Sequence, residues 1–247
     1  MTPTRLTRLK PGWYVLMALA LYAVIVTVLL VRASGQPEPA LVQTEPEADT
    51  LPAAPPAAAA PDGLWFPVPG ARLPTSDENL PGAPRVYRNG VSQGFDFYGE
   101  DAGVPIEQGT PVVAAADGQI VRADVAYTEM DPRAWEVLMT DVEAAGADDS
   151  QLDRLRGRQV WVRSADGTVL RYGHLSDVRT GMRVGTNVYR GQVIGFVGNS
   201  GTDRAVSGSQ DGARLRFEIW TEDDEFFGAG LEATEVRLAA ATLFVGP

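Results

Sequence analysis

Cysteine is absent from this chain of 247 residues, which has a single histidine and, besides its arginines, a single lysine. Without cysteine there is no disulfide scaffold, thiolate zinc site, cysteine nucleophile or acylated lipoprotein cysteine, while the redox compartment stays open. With His174 as the sole imidazole, no mechanism that needs two from this chain is possible. Lys10 precedes a hydrophobic segment, where no folded domain can use it. Clustered positive charge is also scarce. The net charge is −11, and Arg5, Arg8, Lys10 and Arg32 all gather around one uncharged run, so removing these four from the 21 bases leaves 17 against 32 acids after Ala33. Polyanion binding requires clustered Lys and Arg, so nucleic acid is not an expected partner. Apolar residues at 45% and charged residues at 21% exclude disorder throughout.

The apolar residues are unevenly spread. From Pro11 to Val31 nothing is charged, and Trp13 to Val31 forms a run of 19 residues rich in Leu, Val, Ile and Ala. At 1.5 Å per residue this crosses a hydrocarbon core of roughly 30 Å. A cleaved signal peptide is the rival reading, with Ala33-Ser34-Gly35 as its small-residue patch. The run exceeds the usual h-region of about 7 to 15 residues and Arg32 abuts the patch, which favours an uncleaved anchor. The basic flank precedes the span, so the N-terminus is expected in the cytoplasm and the rest outside it. Residues 34–64 hold seven prolines and five acids without a base. That composition builds no core and reads as an extended stalk. The expected organisation is a tail at 1–10, a transmembrane helix at 11–33, the stalk at 34–64 and a β domain at 65–247, its core at about 90–220.

The β domain reads as strand, turn, strand. Thr110–Ala115 and Gln119–Ala123 flank Asp117-Gly118, and Gln159–Ser164 and Thr168–Tyr172 flank Asp166-Gly167, both two-residue hairpin signals. Val184–Val188, Gln192–Val197 and Ala213–Trp220 complete an all-β unit, expected as a compact antiparallel sandwich or partly open barrel. A helical insertion at 130–158 interrupts it. Trp135, Leu138, Met139 and Val142 recur at helical spacing, then Leu152 and Leu155 follow a break at 146–150. It is read as a lid with its apolar face on the sandwich, or as a partner site.

Three fragments carry a resemblance. The first is Ser92-Gln93-Gly94-Phe95-Asp96, followed by Gly109-Thr110-Pro111-Val112 and Ala114-Ala115-Ala116-Asp117-Gly118. The second is Tyr172-Gly173-His174-Leu175-Ser176, with Gly191-Gln192-Val193-Ile194-Gly195 and Gly198-Asn199-Ser200-Gly201 after it, and the third is Arg214-Leu215-Arg216-Phe217-Glu218-Ile219. In order and spacing they resemble the lysostaphin/LytM-type zinc endopeptidases, which cut peptidoglycan cross-links and have a duplicated hybrid motif fold. The resemblance covers about 90–220. It implies zinc ligands at the positions of Ser92, Asp96 and Arg216, and water-assisting histidines at those of Arg214 and His174. Only Asp96 among the three ligand positions keeps a metal-binding side chain, so most of the zinc ligands are lost. A guanidinium is cationic with no acceptor, and no zinc cofactor is expected.

On a strand, Arg214, Arg216 and Glu218 share one face, Leu215 and Phe217 the other. The expectation is a groove ion pair of Asp96 and Arg216, with bidentate geometry and Arg214 nearby, available to a carboxylate-bearing ligand. The alternative is that both arginines solvate an exposed strand face. His174 is read as a hydrogen-bonded residue at a strand end or as an acid/base group. Ser92 lacks a second His or a Lys for a triad or dyad, so no catalytic residue is assigned. Glu222-Asp223-Asp224-Glu225 lacks the spacing of a calcium loop and reads as a solvated turn. The domain also lacks the acceptor lysine of lipoyl and biotinyl carriers. The resemblance then implies a single-pass, extracytoplasmic pseudoenzyme that binds peptidoglycan or regulates a cell-wall hydrolase. Its alternatives are an active endopeptidase with an altered site and a wall-binding module with no protein partner.

Overall fold

The computed structural model describes residues 63–245. The expected tail, anchor and nearly all of the stalk lie outside the described residues. Among the described residues no helix is long and apolar enough to cross a membrane.

The elements follow in the order β1 (Pro84–Arg85), β2 (Gly90–Val91), β3 (Phe95–Phe97), β4 (Pro111–Val113) and β5 (Gly118–Ala123), then α1 (Pro132–Ala145) and α2 (Asp149–Leu155). Next come β6 (Val160–Arg163), β7 (Val169–Gly173), β8 (Leu175–Val178), β9 (Asn187–Val188), β10 (Val193–Val197), α3 (Asp203–Val206), β11 (Leu215–Trp220) and α4 (Ala233–Leu243). A six-stranded sheet runs β3-β11-β7-β6-β5-β9, a three-stranded sheet β4-β10-β8, and β1 pairs with β2. The pairings are antiparallel. This is the mostly antiparallel β architecture with a few helices that the strand pattern predicts.

The main core takes alternate residues of the six-stranded sheet, among them Phe95 and Phe97 of β3, Leu170 and Tyr172 of β7, and Leu215 and Phe217 of β11. Buried aromatic rings meet here, Phe217 lying 5.1 Å from Tyr172 and 6.2 Å from Phe244 between ring centres. The other parity of β11 is Arg216, Glu218 and Trp220, and it is buried as well. A strand buried on both faces needs a cover over its second face, and the helical insertion and the β1–β2 segment border the cavity on that side.

Two of the turn expectations are corrected. Strands β4 and β5 do not pair: β4 joins β10 and β5 joins β6 and β9, so Asp117-Gly118 carries the chain from one sheet to the other. Asp117 instead accepts a 2.6 Å bond from the Arg190 amide through Oδ1. Strands β6 and β7 do form a hairpin, but Ser164 N donates to Thr168 O at 2.9 Å and Gly167 has φ 87°, a three-residue loop closed by a left-handed glycine.

The insertion starts where Asp131 caps α1 by accepting from Ala134 N at 2.9 Å, with Pro132 at the first position. Asp148 and Gln151 form a reciprocal capping box at the start of α2. The apolar face of α1 does not lie on the main core. Leu138 and Val142 pack with Leu155, Met130 and Trp135 in a small core of their own. Gly157 and Gly201 dock the end of the insertion on the following loop. A Cβ on Gly157 would stand 2.3 Å from Ser200 O, one on Gly201 2.5 Å from Gly157 N, and both have positive φ.

Candidate functional site

The antiparallel register sets Asp96 of β3 opposite Arg216 of β11. Arg216 Nη1 donates to Asp96 Oδ2 at 3.0 Å and to Ser92 Oγ at 2.7 Å, and Ser92 Oγ in turn donates to Gly94 O at 2.9 Å. The pair is not bidentate, because Arg216 spends its Nε on Glu218 Oε1 at 3.1 Å. Arg85 Nη2 is a second donor to Asp96 Oδ2, at 2.8 Å. Arg156, the residue after α2, reaches Glu218 with its Nε at 3.0 and 3.1 Å and Gln93 with Nη2 at 2.6 Å. Trp220 Nε1 donates to Glu218 Oε2 at 2.8 Å. Two carboxylates thus organise three arginines. Arg214 completes the group with Nε 3.7 Å from Asp96 Oδ1, beyond hydrogen-bond length.

The arginines do not solvate an open strand face. Side-chain exposure is 8% for Arg216, 7% for Asp96 and 2% for Glu218, and 19% for Arg214. Burial by itself would raise the Asp96 carboxyl, but Arg216, Arg214 and Arg85 outweigh it and hold the group well below the usual carboxylate range. Burial likewise opposes ionisation of Glu218, and Arg156 and Arg216 reverse it. The Arg216 guanidinium, which burial alone would lower, is held above its ordinary value by Asp96 and Glu218.

His174 links β7 to β8 at φ 58°, a left-handed position. Its Nδ1 is 2.8 Å from Ser200 O and its Nε2 is 2.9 Å from Arg214 Nη2. A carbonyl only accepts and a guanidinium only donates, so the ring is neutral with its proton on Nδ1 and its lone pair engaged by Arg214. Burial, joined by Arg214, pushes its pKa down to about 3. Both ring nitrogens of the imidazole are engaged in this arrangement.

The five residues singled out from the sequence therefore come together, with Asp96, His174, Arg214 and Arg216 lining one cavity of about 310 Å³ and Ser92 bonded behind Arg216. Arg85, Arg88 and Arg156 also line it and carried no signal in the sequence. Glu218 was on the correct face by strand parity, and the two arginines that converge on it make it an organising group. Zinc does not fit these residues. Its three ligand positions hold a hydroxyl, a carboxylate already shared by two arginines and a guanidinium. Among the described residues no three His, Cys, Asp or Glu side chains converge as a metal group would require.

Residues 139–227 match the family model described as peptidase family M23. Over that stretch the chain is similar to this family. The matched stretch includes His174, Arg214 and Arg216 and begins after Ser92 and Asp96. No curated protein matches the chain. Among solved structures, the chain resembles Csd3 of Helicobacter pylori at 17% identity and TM-score 0.38, over 72% of this chain and 37% of that one. It resembles the catalytic domain of the prophage-encoded M23 protein EnpA of Enterococcus faecalis at 19% and 0.40, over 65% and 92%. Lysostaphin of Staphylococcus simulans matches at 20% and 0.42, over 74% and 56%.

Proposed function

We propose that this is a membrane-anchored, extracytoplasmic M23 domain that binds rather than cuts, holding peptidoglycan or regulating a cell-wall hydrolase. One observation carries the reading. Arg216 Nη1 donates to both Ser92 Oγ and Asp96 Oδ2, so a side-chain cation lies between the other two positions where the resemblance implies zinc ligands. The internal cation supplies the positive charge that a carboxylate needs there, and it offers no site for a water to become a nucleophile. The second water-assisting position is Arg214, whose guanidinium binds the His174 lone pair. The anchor and the outward orientation rest on the uncharged run at 11–31 and the basic residues before it.

The test is turnover of purified cross-linked muropeptides by the full chain, with and without added zinc. The expected result is no hydrolysis in either condition. Turnover that a chelator abolishes and zinc restores would refute the proposal.

A further inference from the structure

The cavity under the helical insertion has an imbalance that its internal bonds do not remove. Arg85, Arg88, Arg156, Arg214 and Arg216 line it, against the buried carboxylates of Asp96 and Glu218 and the exposed one of Asp203 at the rim. This surplus of positive charge is enclosed in a chain whose net charge is −11. Both buried carboxylates are already engaged, Asp96 Oδ2 by two guanidiniums and Glu218 by two guanidiniums and an indole. Uncompensated buried charge is costly, so an anion is the expected complement.

The open polar atoms narrow the choice of anion. Asp96 Oδ1 and Arg214 Nε are both buried without a hydrogen-bond partner among the described residues. One is an acceptor in want of a donor and the other a donor in want of an acceptor, and they lie 3.7 Å apart. In addition, no hydrogen bond among the described residues engages Arg216 Nη2 or Arg156 Nη1. A fully ionised inorganic anion would answer the donors and leave Asp96 unpaired. The end of a peptide answers both, with its carboxylate on the guanidiniums and its last backbone N–H on Asp96. The lining also has an apolar part, Trp135 and Met139 of α1 and Leu152 and Leu155 of α2, which suits an aliphatic side chain. A volume of about 310 Å³ is at the small end of ligand pockets and holds a short segment.

We propose that this cavity is a binding site for the free C-terminal carboxylate of a short peptide, with the arginines taking the carboxylate and the insertion helices taking the aliphatic side chain. The proposal rests on the non-catalytic reading above and gives that site its ligand. The insertion becomes half of the binding site.

The experiment is calorimetric titration of the detergent-solubilised full chain with N-acetyl-leucyl-alanine, with the same dipeptide as its C-terminal amide, and with inorganic sulfate. The free acid is expected to bind at least tenfold more tightly than the amide or sulfate, and Trp135→Ala and Arg88→Gln to weaken it when each is titrated well below its own unfolding midpoint. An acid-to-amide ratio below tenfold, including no binding by either, would overturn the proposal, as would sulfate binding as well as the acid. The comparison on the unmodified chain stands even if a variant fails to fold. Preference for a protein's C-terminal decapeptide with no response to the dipeptide would also overturn it. An inactive, zinc-free chain that ignores the dipeptide loses this proposal and keeps the non-catalytic reading, whereas muropeptide turnover sinks that reading whatever the dipeptide does.

Discussion

Removing Asp96 would leave Arg216, Arg85 and Arg214 converging on a buried space without their shared acceptor, and removing Arg216 would leave two carboxylates short of a donor. Breaking one side of a buried pair typically costs about 3 to 5 kcal/mol. In a double-mutant cycle of Asp96→Ala and Arg216→Ala, read by denaturant unfolding, the pair is expected to couple by more than about 1 kcal/mol, and additivity within about 0.5 kcal/mol would mean that the two do not interact. His174 gives a pH signature of its own. Its folded pKa of about 3 lies below the roughly 6.5 of an unfolded histidine, so the unfolded state binds the extra proton between those values. Its stabilising contribution is complete above about pH 6.5 and is lost as pH falls towards 3, with a slope of up to about 1.4 kcal/mol per pH unit. As the chain has one histidine, His174→Gln should flatten the stability profile between pH 6.5 and 5, and an unchanged slope there would contradict a buried neutral imidazole. The contact of Asp96 with Arg216 was legible in the sequence because strand parity and the resemblance place both on one face. Arg85 and Arg156 were not, since they meet Asp96 and Glu218 across 11 and 62 residues through chain reversals that no local pattern encodes.

The elements differ in the same way. The β6–β7 hairpin was readable because both strands and their turn are contiguous, whereas β4 finds β10 some eighty residues on, and a turn dipeptide cannot show that its flanking strands separate into two sheets. The insertion helices were readable from apolar spacing, but not where they pack, because spacing defines a face and not its partner. Their small core is separate from the sheet core, which gives an element-scale prediction. Leu138→Ala, at a side chain 1% exposed, should cost about 2 to 5 kcal/mol where it packs. Hydrogen exchange should show protection lost over 132–155 and retained in β7 and β11. Equal loss in both regions would mean that insertion and sandwich unfold as one unit.

At the scale of the whole molecule, an acidic chain encloses a cavity rich in arginine, on the face where the M23 resemblance implies a metal. The cavity is walled by elements distant in sequence, so its charge surplus is invisible in composition, which reports only the net −11. The register aligns Asp96 with Arg216, and in the proposed reading this side chain takes the place of the ion that the resemblance implies. This claim is tested most directly by the zinc content of the purified full chain, measured by elemental analysis after incubation with zinc and dialysis. The account predicts no stoichiometric zinc, because a guanidinium lies between the hydroxyl and the carboxylate at the ligand positions. One zinc retained per chain would contradict it.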